Sequence, residues 1–378
     1  MAGKKQNKLS PHFSPPIFRR IFFLHSVNPP DSIHGRGAAA NPANRFERLH
    51  LVRDEEWDPA LDPDPKTHFY KDHSATIISH NDSPDVGFTA SVNPYRGCEH
   101  GCIYCYARPT HEYLGFSAGL DFESRIMVKE RAPELLRREL SAPRWQPTVL
   151  AMSGVTDCYQ PAERRFQLTR RCLAVLAEFR NPVGIVTKNH LVTRDVDHLR
   201  ELTRHSAAVV LVTLTSLDPT LTTRLEPRTS LPAHRLAAIR ALRAAGVPVG
   251  VMVAPVIPAL TEHELPSIIA SAVDAGAQFA GYVVLRLPLG VAPLFDDWLA
   301  RHFPDRREKV LNRIRDLRGG KLNDADFGSR MRGQGIFAEQ IRQLFHVACR
   351  KNGIEGQHPQ LSTAAFRVPP GPQMTLFD

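Results

Sequence analysis

Six short apolar runs recur through the middle of the chain: GFTASV (87–92), TVLAMSG (148–154), VGIVT (183–187), AVVLVTLT (208–215), VPVGVMVA (247–254) and AGYVVLRL (280–287). Each is β-branched or apolar throughout rather than strictly alternating, the pattern of strands buried on both faces. Stretches with helical spacing separate them. Residues 162–179 bring Phe166, Leu173, Leu176 and Phe179 near one face; residues 231–245 do the same with Leu236, Ile239 and Leu242 and stop at Gly246; residues 261–275 form another. The alternation predicts right-handed βαβ units on a parallel sheet. Six units predict an α/β fold built as a partial (β/α)6 barrel of the TIM type. A doubly wound sheet is the alternative, because strand order is not encoded in spacing. In a barrel, chemistry gathers where the strands end. That rim would collect Cys98 after the first strand, SGVTD after the second, TKN after the third and TSLD after the fourth.

The flanks differ from this core. Residues 1–60, rich in Pro, Asn, Arg and Ala, hold no sustained period and are expected to be disordered. The core with its lead-in is assigned to 61–292, a basic helical extension to 293–355 and a flexible tail to 356–378. The net charge is +9, concentrated at the ends: residues 1–50 carry eight Lys/Arg against two acids, and residues 301–355 thirteen against seven. Basic flanks around a neutral core suit contact with a polyanion, or simply solubility. No apolar run approaches the 18 or so residues of a spanning helix, and Ile21-Phe22-Phe23 is too short for a signal-peptide core. The reading is a soluble cytoplasmic protein with no membrane partner.

The chain has six cysteines, and three of them, Cys98, Cys102 and Cys105, fall within "NPYRGCEHGCIYCYARPTHEY" (93–113). So few in so long a chain do not form a disulfide framework; clustering points to metal. Structural zinc takes four ligands, usually as two pairs, and no second Cys-x-x-Cys is present. His100 and His111 are candidate fourth ligands without customary spacing. A four-iron cluster on three thiolates leaves one iron open for an external ligand. Gly97 and Gly101 would relieve crowding around metal, and Tyr104 and Tyr106 flank the last cysteine.

Cys98-x3-Cys102-x-Tyr104-Cys105 resembles the signature of the radical S-adenosylmethionine (SAM) superfamily. The longer phrases NPYRGCEHGCIYCYARPTHEYLG, GVTDCYQPAE and TLTSLDPTLTTRLEPRTS resemble its spore photoproduct lyase-like, or DNA repair photolyase, group, over roughly residues 85–290. The resemblance implies a partial barrel of the radical SAM kind. It implies a [4Fe-4S] cluster on the three cysteines, SAM chelated to the open iron, and an electron donor such as flavodoxin or ferredoxin. Reductive cleavage would give methionine and a 5′-deoxyadenosyl radical that takes hydrogen from substrate, the chemistry belonging to the cofactor.

The rim supplies the remaining candidates. Ser153 and Asp157 stand where the family's loop meets the SAM amino group, without its Gly-Gly-Glu run; Asp157 or Thr156 can equally cap a helix. Lys188 ends the third run and can pair with the SAM carboxylate, as can Thr213 or Thr215 on one face of the fourth. Tyr104 is assigned to the cofactor. Tyr159, Gln160, Glu163, Glu226 and Arg228 are weaker candidates on the substrate side. Cys172 and Cys349 read as core. Cys158 and Tyr106 are the candidates for hydrogen transfer. Authentic lyases, by resemblance, carry a donor cysteine two positions before Ser153; here that residue is Ala151, so thymine-dimer reversal is not assigned.

The tail ends QMTLFD, and Gln373, Met374, Leu376 and Phe377 resemble the peptide that docks on the bacterial sliding clamp. The leading expectation is a radical SAM enzyme acting on DNA, with Arg313, Arg315, Arg318, Arg330 and Arg332 against phosphates and a base flipped out to meet the radical. Two alternatives stay open: the same chemistry on RNA, protein or a small molecule, and a non-catalytic nucleic-acid-binding module with a structural metal loop.

Overall fold

The computed structural model describes residue 33 and residues 35–46 and 66–370. Six strands lie parallel in one sheet: β1 (Ala90–Val92), β2 (Leu150–Met152), β3 (Val183–Thr187), β4 (Ala208–Thr213), β5 (Val249–Val256) and β6 (Ala280–Val284). All six predicted runs are therefore strands. They stand side by side in chain order with no reversal, which is the order of a barrel and not of a doubly wound sheet. Pairing stops at β6 on one side. On the other, Ile78–His80 pairs antiparallel to β1. The barrel is thus open along a seam between β6 and the Ile78–His80 strand that flanks β1.

The strands are apolar because both faces are covered. Val183, Ile185, Val210, Val212, Val249 and Val251 share one core with Leu173 and Leu176 of helix Leu168–Phe179 and with Ile239 and Leu242 of helix Pro232–Ala244. The predicted 162–179 helix is broken at Gln167 (φ 50°), so Glu163–Phe166 and Leu168–Phe179 are separate. The expected C-terminal helices are present as Val291–His302, Arg307–Asp316 and Gly335–Lys351. Phe295 and Trp298 of the first share a second core with Cys102, Tyr104 and Leu285, so the extension backs the cysteine loop. No helix among the described residues is long and apolar enough to cross a membrane.

Three features depart from expectation. His68–Lys71, Tyr95–Arg96 and Arg125–Val128 form a small second sheet on the cysteine side of the barrel. Residues 35–46, inside the segment expected to be disordered, are ordered against the cysteine loop, with Ala38 and Ala39 buried. Part of the expected free tail is also tied down: Ser362 N donates to Ser206 O (2.9 Å), Arg367 N to Phe179 O (2.9 Å), and Phe366 packs on Phe179. The clamp-like residues Gln373, Met374, Leu376 and Phe377 lie outside the described residues.

Candidate active site

Cys98, Cys102 and Cys105 sit on the loop that follows β1, at the strand-end rim, and none is in a disulfide. Two tight turns shape the loop: Gly101 N donates to Cys98 O (3.3 Å) and Cys105 N to Cys102 O (3.2 Å). Gly97 and Gly101 have φ of 79° and 66°, a conformation that costs other residues energy. The loop is pegged by Arg108, which is fully buried. Its guanidinium donates to the carbonyls of Gly101 (3.2 Å), Cys102 (3.0 Å), Ala118 (3.2 Å) and Gly119 (3.0 Å), and pairs with Glu123 (2.5 Å). Glu123 in turn accepts from the backbone N–H groups of Gly37 and Ala38, both at 2.9 Å. Residues 35–46 therefore lie as a strap over the loop. Asn41 exchanges hydrogen bonds with Asp121, and a Cβ on Gly37 would run into the Gly101 carbonyl. Gln160, a substrate-side candidate from sequence, instead spans Gly97 O (3.1 Å) and Glu99 N (2.9 Å).

Neither histidine is free to be a fourth ligand. His100 is held between Asp157 (3.4 Å) and Asn189 (3.2 Å). His111 is enclosed by Phe116 and Phe122, and neither ring nitrogen has a hydrogen-bond partner. Burial depresses its pKa to about 4. The unfolded chain thus binds, below about pH 6.5, a proton that the folded chain refuses. Stability is complete above that pH and declines as pH falls toward 4, by up to about 3 kcal/mol. Urea titrations between pH 7 and 4.5 should record this slope and His111→Leu should flatten it; equal slopes in both proteins would refute the assignment.

Two carboxylates, Asp157 nearly buried and Glu226 fully so, organise the rim. Asp157 accepts from Thr187 Oγ1 (2.9 Å), Lys188 N (2.8 Å) and Tyr159 N (2.9 Å) besides His100, so it ties the loop after β2 to the end of β3 and to the cysteine loop. Ser153, at φ 78°, accepts from Cys158 N (2.9 Å) through its hydroxyl. Glu226 is the second. Burial works against its charge, but Arg235, Lys188, Thr215 and Tyr104 more than offset this and hold the carboxyl well below the usual carboxylate range. Arg235 and the Tyr104 hydroxyl bond it directly, Thr215 at 2.6 Å, and Lys188 Nζ lies 3.3 Å away. Lys188 also donates to Ala254 O (2.9 Å). Four sequence candidates, Tyr104, Lys188, Thr215 and Glu226, thus meet in one network. Thr213 is buried beside it, its carbonyl accepting from Arg235 (3.0 Å). Arg228 pairs with Glu99 (2.9 Å) on the cysteine loop.

The remaining candidates scatter. Tyr106 is half exposed at the rim and its hydroxyl donates to Gly154 O (2.9 Å), reaching from the cysteine loop to the end of β2. Cys158 follows Asp157 on the loop after β2, but its side chain turns inward: it is fully buried in the core with Tyr159 and Cys172, and burial pushes its thiol well up. A hydrogen donor must touch its acceptor, so Cys158 is ill placed for that task. Glu163 opens a helix and binds Tyr95, Thr169 N and Arg194. The basic C-terminal residues do not form a free row. Arg318 is buried against the carbonyls of Val284 and Leu285, Arg330 pairs with Asp85, Arg332 stacks on Tyr282, Arg313 stacks on Phe337, and Arg315 donates to Asn312. Arg108, Glu123 and Arg235 were missed from sequence.

A family model described as the radical SAM superfamily matches residues 92–272, from the last residue of β1 past the end of β5. An uncharacterized protein of Mycobacterium tuberculosis is 40% identical over 298 residues, covering 77% of this chain and 82% of its own. The chain belongs to the radical SAM superfamily. An uncharacterized protein of Methanocaldococcus jannaschii is 28% identical over 223 residues, 59% of this chain and 79% of that one. Among solved structures, a spore photoproduct lyase complexed with dinucleoside spore photoproduct superposes with TM-score 0.54, at 15% identity, over 75% of this chain and 78% of that chain. The shared fold is that of the radical SAM barrel.

Superfamily membership implies a [4Fe-4S] cluster and SAM, and the donor set suits them. Burial raises the pKa of all three loop thiols, so a thiolate there needs a bound metal to bear its charge. Among the described residues no three His, Cys, Asp or Glu side chains close on a single ion. A cubane instead takes its thiolates one per iron.

Proposed function

We propose that this radical SAM protein is an enzyme that holds a [4Fe-4S] cluster on Cys98, Cys102 and Cys105 and takes hydrogen from a DNA base, in repair or modification of the photolyase-like kind. One observation carries the cofactor assignment: three thiols, those of Cys98 and Cys102 buried and that of Cys105 partly exposed, share a rim loop on which the nearby His100, His111, Asp157, Glu226 and Glu123 are already engaged or sealed off, so a fourth coordination position is left for a small molecule. When bound, cluster and SAM supply reductive cleavage of a sulfonium and a carbon radical.

The residues of the chain position this chemistry. Lys188 spends two of its three donors on Ala254 and Glu226, which leaves one for the SAM carboxylate. Because Arg235 shares the neutralisation of Glu226, Lys188 is not claimed by that carboxylate alone. Thr213 and Thr215 stand beside it. Ser153 keeps a lone pair for the SAM amine, and Asp157 fixes the loop that presents it. Tyr104 screens the cluster side, and Tyr106, hydrogen-bonded to the end of β2, faces the substrate. The burial of Cys158 and the presence of Ala151 favour no cysteine relay of the spore photoproduct type. A DNA substrate is supported by the lyase-like fold and the +9 charge.

The test is anaerobic reconstitution with iron and sulfide, reduction with SAM present, and addition of DNA deuterated at its bases. Expected is 5′-deoxyadenosine carrying deuterium from DNA. Formation without deuterium transfer would sink the DNA substrate and keep the cofactor assignment; no formation would sink both.

A further inference from the structure

The end of β6 carries a cation whose counter-charge is missing. Arg286 follows β6 by two residues and is half buried. Its contacts are soft and neutral: the Tyr106 ring, 5.1 Å from the guanidinium carbon to the centroid, and Met331 Sδ at 3.8 Å. The nearest acid by field, Asp85, is taken up at both oxygens by Arg330, at 2.5 and 2.6 Å. Arg318 lies buried behind, donating to the carbonyls of Val284, Leu285 and Arg330. Two guanidiniums therefore stand at this strand end without an ion-pair partner among the described residues. Burying an unmatched cation is costly unless an anion completes it, and burial does push the Arg286 pKa down.

Its position gives that anion a meaning. Arg286 lies just past the end of β6, beside the open seam, and stacks on Tyr106 of the loop that follows β1, so the pair joins the β6 edge of the rim to the cysteine loop. Tyr106 adjoins Cys105, and its ring is fixed by the bond to Gly154 O and exposed on one side. We propose that Arg286 is a substrate-positioning residue that binds a backbone phosphate of a nucleic-acid strand entering at the open seam beside β6, with Tyr106 as the stacking platform for the adjoining base. This rests on the DNA reading above. Planar guanidinium suits phosphate, and aromatic rings beside basic side chains are how single strands are held. A phosphate on Arg286 sets the neighbouring base beside the cysteine loop.

The probe is a fluorescein-labelled, mixed-sequence, 20-nucleotide single strand, titrated by anisotropy against the reconstituted full chain with SAM at several salt concentrations. Arg286→Gln should weaken binding about tenfold and reduce the log-salt slope by about 0.7, the share of one phosphate on a single strand. Arg286→Lys should retain most of the slope. Arg240→Gln, on the exposed face of helix Pro232–Ala244, should change neither; thermal unfolding of each variant guards against misfolding. Equal behaviour of Arg286→Gln and Arg240→Gln would overturn the proposal and leave the DNA reading standing. Failure of the unmodified protein to bind the strand would overturn both.

Discussion

Cys102→Ala should yield a folded chain that loses its iron and forms no detectable 5′-deoxyadenosine. Removing partners that only orient a metal ligand costs about 10–100-fold; losing one of three ligands should cost more than that. The site has no substitute. His100 is held by Asp157 and Asn189, His111 is sealed between phenylalanine rings, and the carboxylates of Glu226 and Glu123 are paired with Arg235 and Arg108. Cys172→Ala is the matched control, since that thiol lies in the core away from the loop. Iron and sulfide content, visible absorption and product chromatography read the result. Retention of a full cluster by Cys102→Ala would mean that the metal sits elsewhere.

The second large effect is on stability. Arg108→Leu should destabilise the iron-free protein by about 3–5 kcal/mol, the usual cost of breaking a buried ion pair from one side. It strands Glu123 and leaves four inward carbonyls without their donor. Melting should fall by roughly 6 °C or more, with iron uptake impaired because the loop no longer keeps its turns. Arg108→Lys should recover little, having three donors on one atom where five acceptors are spread in a fork. A melting temperature within about 1 °C of the unmodified protein would show that the carbonyls find other partners.

The barrel was legible because burial on both faces leaves long apolar runs, a signal that needs no partner to be read. The cysteine loop was legible because its three cysteines lie within eight positions of each other. What escaped depends on distant pieces meeting. Arg108 and Glu123 are fifteen residues apart, and Glu226 and Arg235 nine, at no helical or strand period, so nothing marks them as paired before the chain folds. HFYK, the first strand of the small sheet, is four residues long and mostly exposed, so no apolar run marks it. The strap misled for a sharper reason. Its Gly, Ala, Asn and Pro composition reads as disorder, yet the residues are small because two backbones press together there, as Gly37 does on Gly101 and Gly119 on Ala40. Asp157 was read as a cofactor acceptor because its neighbours in sequence, not its donors in space, were visible.

The strap also separates two kinds of boundary. The match to the superfamily model starts at residue 92, but the segment that clamps Glu123 lies some fifty residues upstream of it. A fragment trimmed to that match would keep Cys98, Cys102, Cys105 and strands β2 to β5 while discarding the cross-brace that stiffens the cysteine loop. The stretch that identifies the superfamily and the stretch that holds its loop rigid are different lengths of the same polypeptide.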